Sequence, residues 1–234
     1  MLKACLNGGR SRAEHPAVPL TPAELVADAA HCAALGVAAV HVHPRDATGA
    51  ESLAPATVAA AVAALRAACP GLPVGVSTGA WVEPDPAARV EAVRAWRVLP
   101  DFASVNAHEA GAEQVAAALV ERGVAVEAGV WTLDALRAYR GWRVPVLRVL
   151  VECMAPASAD ALADVARILA ALPPESPPVL LHAEGPAVWS VLAEAVGRGL
   201  DTRIGLEDTL LLPDGAPAAG NAALVAAAVA RGAH

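Results

Sequence analysis

His41 and His43 are separated by a single residue at the end of an apolar run that begins at Gly36. The run predicts a buried strand, and in a strand residues i and i+2 point to the same face. The two imidazoles would then lie about 6–7 Å apart and could chelate one divalent metal. The alternative is that both rings are buried and satisfied in a core, although a buried neutral histidine usually occurs singly and needs its own partners.

A carboxylate that could complete such a site follows a later apolar run. Glu207 and Asp208 lie just after residues 202–205, which also predict a strand. One carboxylate and two imidazoles form a three-ligand set that leaves metal positions open for a substrate, as catalytic zinc sites do. The two acids could instead be ordinary solvated residues after a strand, but the histidine pair favours the metal-binding interpretation.

Short apolar runs alternate with longer alanine-rich segments of helical spacing along the chain. The predicted strands are residues 3–6, 38–43, 74–77, 102–105, 125–128, 146–151, 179–183 and 202–205. The predicted helices are residues 22–35, 56–68, 86–98, 112–122, 133–140, 159–171, 187–197 and 221–231. Eight strand–helix units predict an α/β fold, a (β/α)8 TIM barrel, formed as one catalytic domain over residues 1–234. Thr21 and Glu24 have the spacing of a capping box and support the first helix.

In TIM barrels the active site lies at the carboxyl ends of the strands. Nearly every predicted strand here ends in a hydrogen-bonding side chain, which a purely structural barrel would not require. His182 and Glu184 are a second candidate pair, for contacts with substrate or phosphate, beside a helix start at Gly185. The strand-end residues are Asn7, His41, His43, Ser77, Thr78, Ser104, Asn106, Glu127, Glu152, His182, Glu184, Arg203, Glu207 and Asp208.

The composition argues against several classes of protein. The 17 basic residues are scattered and outnumbered by 24 acidic ones, whereas nucleic-acid binding needs a clustered basic face. No apolar stretch reaches the ~18 residues of a membrane span, and the first residues lack the apolar core of a signal peptide, so we expect a cytoplasmic protein. Four widely spaced cysteines predict neither disulfides nor a thiolate metal site. The hydrophobic content of 56% predicts a large core and a homo-oligomer.

Four motifs, in order along nearly the whole chain, resemble those of the β-keto acid cleavage enzyme family, typified by 3-keto-5-aminohexanoate cleavage enzyme. They are Cys5-Leu6-Asn7-Gly8-Gly9, His41-Val42-His43-Pro44-Arg45-Asp46, Val76-Ser77-Thr78-Gly79 and Arg203-Ile204-Gly205-Leu206-Glu207-Asp208. The resemblance implies a zinc-dependent TIM barrel, an acyltransferase that converts a β-keto acid and acetyl-CoA into acetoacetate and a new acyl-CoA. It also implies a homotetramer.

The resemblance further implies roles for individual residues. His41, His43 and Glu207 match the family's metal ligands, and Arg203 and Asp208 match its catalytic arginine and base. The predicted substrate-binding residues are Ser77 and Thr78 in the loop that holds the substrate carboxylate, Ser104 and Asn106 at the fourth strand end, Glu127 on the fifth strand, and Arg10.

Two departures from the family pattern bear on substrate binding. Arg10 stands where the enzyme for the amino substrate has a glutamate, so we expect a substrate with a neutral polar or anionic tail. Residues 143–159 are also shorter than the usual loop, which leaves the coenzyme A contacts there unassigned.

Two other functions are compatible with a histidine pair on a barrel. A metal-dependent hydrolase would also use His-x-His, but typically on the first strand and with further histidine ligands, whereas the pair here lies on the second. A catalytically silent metal- or ligand-binding barrel would have no reason to keep Arg203 and Asp208 beside the ligands.

Overall fold

The computed structural model describes residues 1–154 and 158–234 and consists of strands that alternate with helices. The strands are β1 Leu2–Cys5, β2 Ala39–Val42, β3 Val74–Ser77, β4 Phe102–Asn106, β5 Ala125–Val130, β6 Arg148–Cys153, β7 Val179–Ala183 and β8 Asp201–Ile204. The helices are α1 Pro22–Ala34, α2 Pro55–Ala68, α3 Pro86–Ala95, α4 Ala112–Glu121, α5 Leu133–Arg140, α6 Ser158–Ala171, α7 Val188–Gly197 and α8 Asn221–Val229.

The eight strands form a closed parallel barrel in chain order, and β8 pairs with β1. The predicted (β/α)8 fold is therefore confirmed. Outward-facing side chains such as Val40, Val42 and Val76 are buried in the layer between strands and helices. No helix within the described residues has the length and apolar character needed to cross a membrane.

Local signals in the sequence start the first helix where predicted. The Thr21 side chain accepts a hydrogen bond from the Glu24 backbone N–H, and the Glu24 carboxylate accepts one from the Thr21 N–H. This reciprocal pair satisfies amide groups that the first turn of a helix leaves free.

Six strands differ from the prediction by one or two residues at an end, and the differences in β2 and β6 affect the site. β2 ends at Val42 because the backbone N–H of His43 donates to the side chain of Asn7 instead of a neighbouring strand. β6 begins at Arg148, two residues later than predicted, because its pairing register places Arg148 opposite Glu127 on β5. Glu152 therefore lies within β6 and faces the barrel interior.

Buried charges fill part of that interior. Lys3 Nζ lies 2.6 Å from Glu127 Oε2, and both side chains are almost completely excluded from solvent. Arg148 Nε lies 3.3 Å from the other oxygen of Glu127. Phe102 packs there against Gly75, where a Cβ atom would lie only 1.9 Å from the ring. Glycine at position 75 is thus required for this packing.

Candidate active site

A cavity of about 470 Å³ opens among residues at the carboxyl ends of the strands. Most of the residues that line it are polar or charged, and they come from most of the strands and from the loops that follow them. The lining residues are Gly9, Arg10, Glu14, His41, His43, Glu51, Ser77, Trp81, Ser104, Asn106, Trp131, Leu150, Glu152, Glu184, Arg203 and Glu207.

The structure brings the three predicted metal ligands together. One donor atom from each of His41, His43 and Glu207 lies within 4.8 Å of the others. Glu207 Oε2 is 3.6 Å from His43 Nε2 and 3.9 Å from His41 Nε2, and this buried carboxylate oxygen has no hydrogen-bond partner within the described part of the chain. Two imidazole nitrogens and one free carboxylate oxygen fit a divalent cation such as Zn²⁺.

The electrostatics of the triad also favour a cation. Burial holds the pKa of His41 well below its usual range, so its ring is neutral and can offer a lone pair. The pKa of Glu207 is well below its usual range despite burial, chiefly because the Arg203 guanidinium favours its charged form. Despite burial, the Glu207 and Glu51 carboxylates raise the pKa of His43 to about 9, so a metal that binds there would displace the proton of this ring. The ionised Glu207 carboxylate and the neutral His41 ring offer lone pairs to a metal without losing a proton.

Buried asparagines hold the two segments that carry the ligands. Asn7 accepts from the His43 N–H and donates to the His43 carbonyl, at 2.8 and 2.9 Å. Asn221 accepts from the Leu206 N–H at 2.7 Å and donates to the Leu6 carbonyl. These bonds fix the backbone next to both ligand segments, which rigidifies the site before any ion binds.

Gly8 leaves room for the side chain of Glu207. A Cβ atom on Gly8 would lie 2.4 Å from Cγ of Glu207, and the positive φ of Gly8, 53°, is a conformation that side-chain-bearing residues rarely adopt. The first of the two glycines after β1 is therefore required for the metal-site geometry.

Glu51 and Trp81 support His43 and were not predicted from the sequence. Glu51 accepts a hydrogen bond from the Trp81 indole N–H at 3.1 Å, and the Trp81 ring stacks on His43 with centroids 6.1 Å apart. The signal for Glu51 is the turn from Asp46 to Gly49, which folds the chain back so that residue 51 pairs with Arg45.

Arg203 reaches the cavity, whereas Asp208 lies behind it. Arg203 Nη2 is 2.7 Å from Asp208 Oδ1 and 3.0 Å from Glu207 Oε1. The Asp208 side chain is fully buried and does not line the cavity. Burial raises the pKa of Asp208 to about 8, against the opposing effect of Arg203. The predicted catalytic pair is thus in contact, but only the arginine faces the substrate space.

Of the predicted substrate-binding residues on β3 and β4 or just after them, some line the cavity and one does not. Ser77, Ser104 and Asn106 line the cavity. Thr78 does not, because its hydroxyl donates to the Ser104 carbonyl at 2.7 Å and joins the ends of the two strands. Asn106 donates to Glu109 at 2.9 Å, which leaves its amide oxygen available to a ligand.

Glu127, also predicted to bind substrate, is held in the barrel interior by Lys3 and Arg148 and does not line the cavity. Arg10 does line it. Arg10 Nη1 lies 3.2 Å from Glu14, and Nη2 lies 3.5 Å from Glu184, the acid of the second candidate pair. Glu14 is a further cavity residue that was not predicted.

The other member of that pair, His182, is buried beneath Glu152. Its Nε2 lies 3.6 Å from Glu152 Oε2, and neither ring nitrogen has a hydrogen-bond partner within the described residues. At the helix start predicted to bind an anion, the Gly185 N–H donates to the Asp208 carbonyl at 2.8 Å. Of the shortened segment 143–159, residues 155–157 lie outside the described part of the chain.

Comparison with known proteins identifies a family and agrees with this fold. The sequence profile of a family described as beta-keto acid cleavage enzyme matches residues 1–233. No curated protein sequence matches the chain.

Several solved structures share the fold. The apo structure of ObcA is 19% identical with a TM-score of 0.69, and the match covers 93% of this chain and 63% of that one. This chain therefore spans less than two thirds of ObcA. A native KDPGal structure is 22% identical with a TM-score of 0.60, and the match covers 98% of this chain and 93% of that one. A 3-dehydroquinate dehydratase from Geobacillus kaustophilus HTA426 is 13% identical with a TM-score of 0.62, and the match covers 92% of this chain and 86% of that one. At these identities the likeness concerns the barrel alone.

Proposed function

The chain belongs to the beta-keto acid cleavage enzyme family, and from this premise we propose that it is an acetoacetate-forming acyltransferase. In this reaction the acyl group of a β-keto acid passes to coenzyme A, and acetyl-CoA supplies the acetyl group of acetoacetate. The observation that carries the proposal is the placement of the His41, His43 and Glu207 triad beside Arg203 in one cavity.

We assign Zn²⁺ to the triad, on the basis of its two imidazoles, its single carboxylate and the free oxygen of Glu207. When bound, the ion would supply Lewis-acid stabilisation for the negative charge that develops on the keto oxygen during enolate formation.

The residues of the chain bind and orient the substrate. The Arg203 guanidinium is charged and faces the cavity, so it can hold the carboxylate of the β-keto acid. Ser77 and Asn106 line the same space and offer hydrogen bonds to that carboxylate or to the keto group. Asp208 keeps Arg203 in place through the 2.7 Å contact, which makes it a positioning residue for the arginine in this assignment.

The reaction balances without a protein nucleophile. Loss of the α-proton leaves a carbanion, which attacks the acetyl thioester and releases the coenzyme A thiolate. The thiolate attacks the original keto carbon, and cleavage of the carbon–carbon bond expels acetoacetate as a carbanion that regains a proton. In agreement with this route, no cysteine lines the cavity among the described residues, and burial raises the pKa of the Cys5 thiol well above its usual range.

The test is acetoacetate production by the zinc-loaded protein. We would incubate it with a straight-chain β-keto acid, a β-keto dicarboxylate or 3-keto-5-aminohexanoate, each with and without acetyl-CoA. We expect acetoacetate and a new acyl-CoA only when acetyl-CoA is present. Turnover without acetyl-CoA would instead indicate a hydrolase, and no turnover under either condition would indicate a binding protein.

A further inference from the structure

We infer that Glu152 is the catalytic residue that takes the proton from the α-carbon of the β-keto acid and returns it to the departing acetoacetate. The inference rests on the function proposed above and adds a base to it. The resemblance to the family gives this role to Asp208, whose carboxylate contacts Arg203 and does not line the cavity.

The acidic residues that line the cavity differ in the groups that their carboxylates already contact. Glu207 belongs to the metal triad and contacts Arg203 at 3.0 Å. Glu51 contacts His43 at 2.5 Å and Trp81 at 3.1 Å. A carboxylate bound to a cation, a metal or two donors is a poor base, because those partners stabilise its charged form.

The acids beside Arg10 are engaged as well. Glu14 and Glu184 lie 3.2 and 3.5 Å from the Arg10 guanidinium, and their side chains are 45% and 40% exposed. Water and the arginine both stabilise their charged forms. Arg203, which would hold the substrate carboxylate, lies instead beside the triad, 3.0 Å from Glu207 Oε1.

Glu152 differs from these four acids. It lines the cavity on β6, it is only 8% exposed, and it has no arginine or lysine ion-pair partner within the described residues. Its contact within the site is His182 Nε2 at 3.6 Å. It is therefore the buried carboxyl group in the cavity that is free to exchange a proton.

The surroundings of Glu152 suit a base that works near neutral pH. Its pKa is raised to about 7, mainly by burial, with the opposing effect of the Arg203 charge partly offset by the charges of Glu207 and Glu184. Below it, burial keeps the pKa of His182 well under its usual range, so this ring is neutral. A base with a pKa near the working pH can both accept and return a proton.

The proton transfer balances within one turnover. The ionised Glu152 oxygen forms an O–H bond as the α-carbon C–H bond breaks, and the electron pair stays on the substrate as the enolate. After the carbon–carbon bond breaks, the same proton moves to the acetoacetate carbanion, and Glu152 is ionised again. His182 would position the carboxylate by donating its Nε2–H as the 3.6 Å contact shortens around the substrate.

The experiment is deuterium exchange at the α-carbon of acetoacetate, the product that every acyl substrate shares. The zinc-loaded protein in D₂O is followed by proton NMR, and exchange is measured against acetoacetate concentration for the wild type, Glu152→Gln, Glu152→Asp and Asp208→Asn. Glu175→Gln is the matched control, because Glu175 is exposed in the loop before β7, outside the cavity. Zinc content is measured for each variant.

We expect Glu152→Gln to lower the saturated exchange rate by ~10²–10⁴ with unchanged zinc content, as removal of a general base does. Glu152→Asp should recover part of the rate, and wild-type exchange should rise with pH through about 7, because only the ionised base accepts a proton. Asp208→Asn should mainly raise the acetoacetate concentration needed for half-saturation.

Exchange by Glu152→Gln within about threefold of the wild type would overturn the inference, and loss of exchange in Asp208→Asn would then return the role to Asp208. Failure of the proposed function looks different, because the wild type itself would then form no acetoacetate and exchange no α-proton.

Discussion

Glu51 Oε1 lies 2.5 Å from His43 Nδ1, so a carboxylate binds the ring nitrogen of His43 that does not face the triad. In metal sites such a contact fixes the ring orientation and the tautomer, and it raises the basicity of the other nitrogen. The contact joins the end of β2 to the loop that follows it, and through Trp81 it extends to the rim of the cavity.

The first prediction is that Glu51→Gln weakens zinc binding by ~10–100-fold, the usual effect of losing a carboxylate next to a metal-ligating histidine. Chelator competition measures the affinity directly and does not depend on activity. Glu91→Gln, on an exposed helical glutamate outside the cavity, is the matched control. Equal zinc affinity in the Glu51 variant and the wild type would show that the contact does not support the metal site.

The second prediction concerns the triad itself. His41→Ala or His43→Ala removes one of the three protein ligands, so zinc content and acetoacetate formation should fall together. Glu207→Gln keeps the shape of the side chain but loses its charge, so it should weaken zinc less than either histidine deletion and still lower turnover. His31→Ala is the control, because His31 is an exposed residue of α1. Full zinc content in a variant, by elemental analysis, would remove that residue from the ligand set.

The sequence was sufficient to predict the barrel and the triad because both follow from local rules. Alternation at the end of β2 places His41 and His43 on one face, and position in a barrel places Glu207 and Asp208, just after β8, at the same end. The choice of Glu207 over Asp208 came from the family resemblance. Glu51 could not be found in this way, because its contact with His43 depends on how the turn from Asp46 to Gly49 folds.

Other features depend on how distant strands pair. Whether Glu127 faces the cavity or the buried charges is decided by the positions of Lys3 and Arg148, which are remote in sequence. The sequence predicts Glu152 just after its strand, because the apolar residues before Arg148 resemble the start of β6. Only the register with β5 shows that Glu152 lies within the strand and faces the interior.

The third prediction is that Glu127→Gln destabilises the protein. The variant leaves the buried ammonium of Lys3 without its carboxylate at 2.6 Å, and breaking a buried ion pair from one side typically costs about 3–5 kcal/mol. Urea unfolding measures the loss. In a double-mutant cycle, Lys3→Met combined with Glu127→Gln should recover part of it, because no unpaired ammonium remains. A variant as stable as the wild type but with a raised KM would instead indicate a contact with substrate.

The last prediction concerns the tail of the substrate and depends on Arg10. Arg10 lines the cavity, and its side chain is 19% exposed. Its contact with Glu184 is loose, at 3.5 Å, so a substrate carboxylate could replace that acid and form two hydrogen bonds with the guanidinium. A cationic tail would meet the like charge of Arg10 and lose affinity. We therefore expect kcat/KM to be higher for a β-keto dicarboxylate or a plain β-keto acid than for 3-keto-5-aminohexanoate.

Charge reversal at this position tests the same prediction. Arg10→Glu would place a third carboxylate beside Glu14 and Glu184, which should favour a cationic tail and shift the ratio of kcat/KM values toward the amino substrate by at least about tenfold. Arg12→Glu is the matched control, because Arg12 lies two residues away, pairs with Glu24 and does not line the cavity. A wild type that prefers the amino substrate, or an Arg10→Glu variant with the same ranking as the wild type, would show that Arg10 does not select the tail.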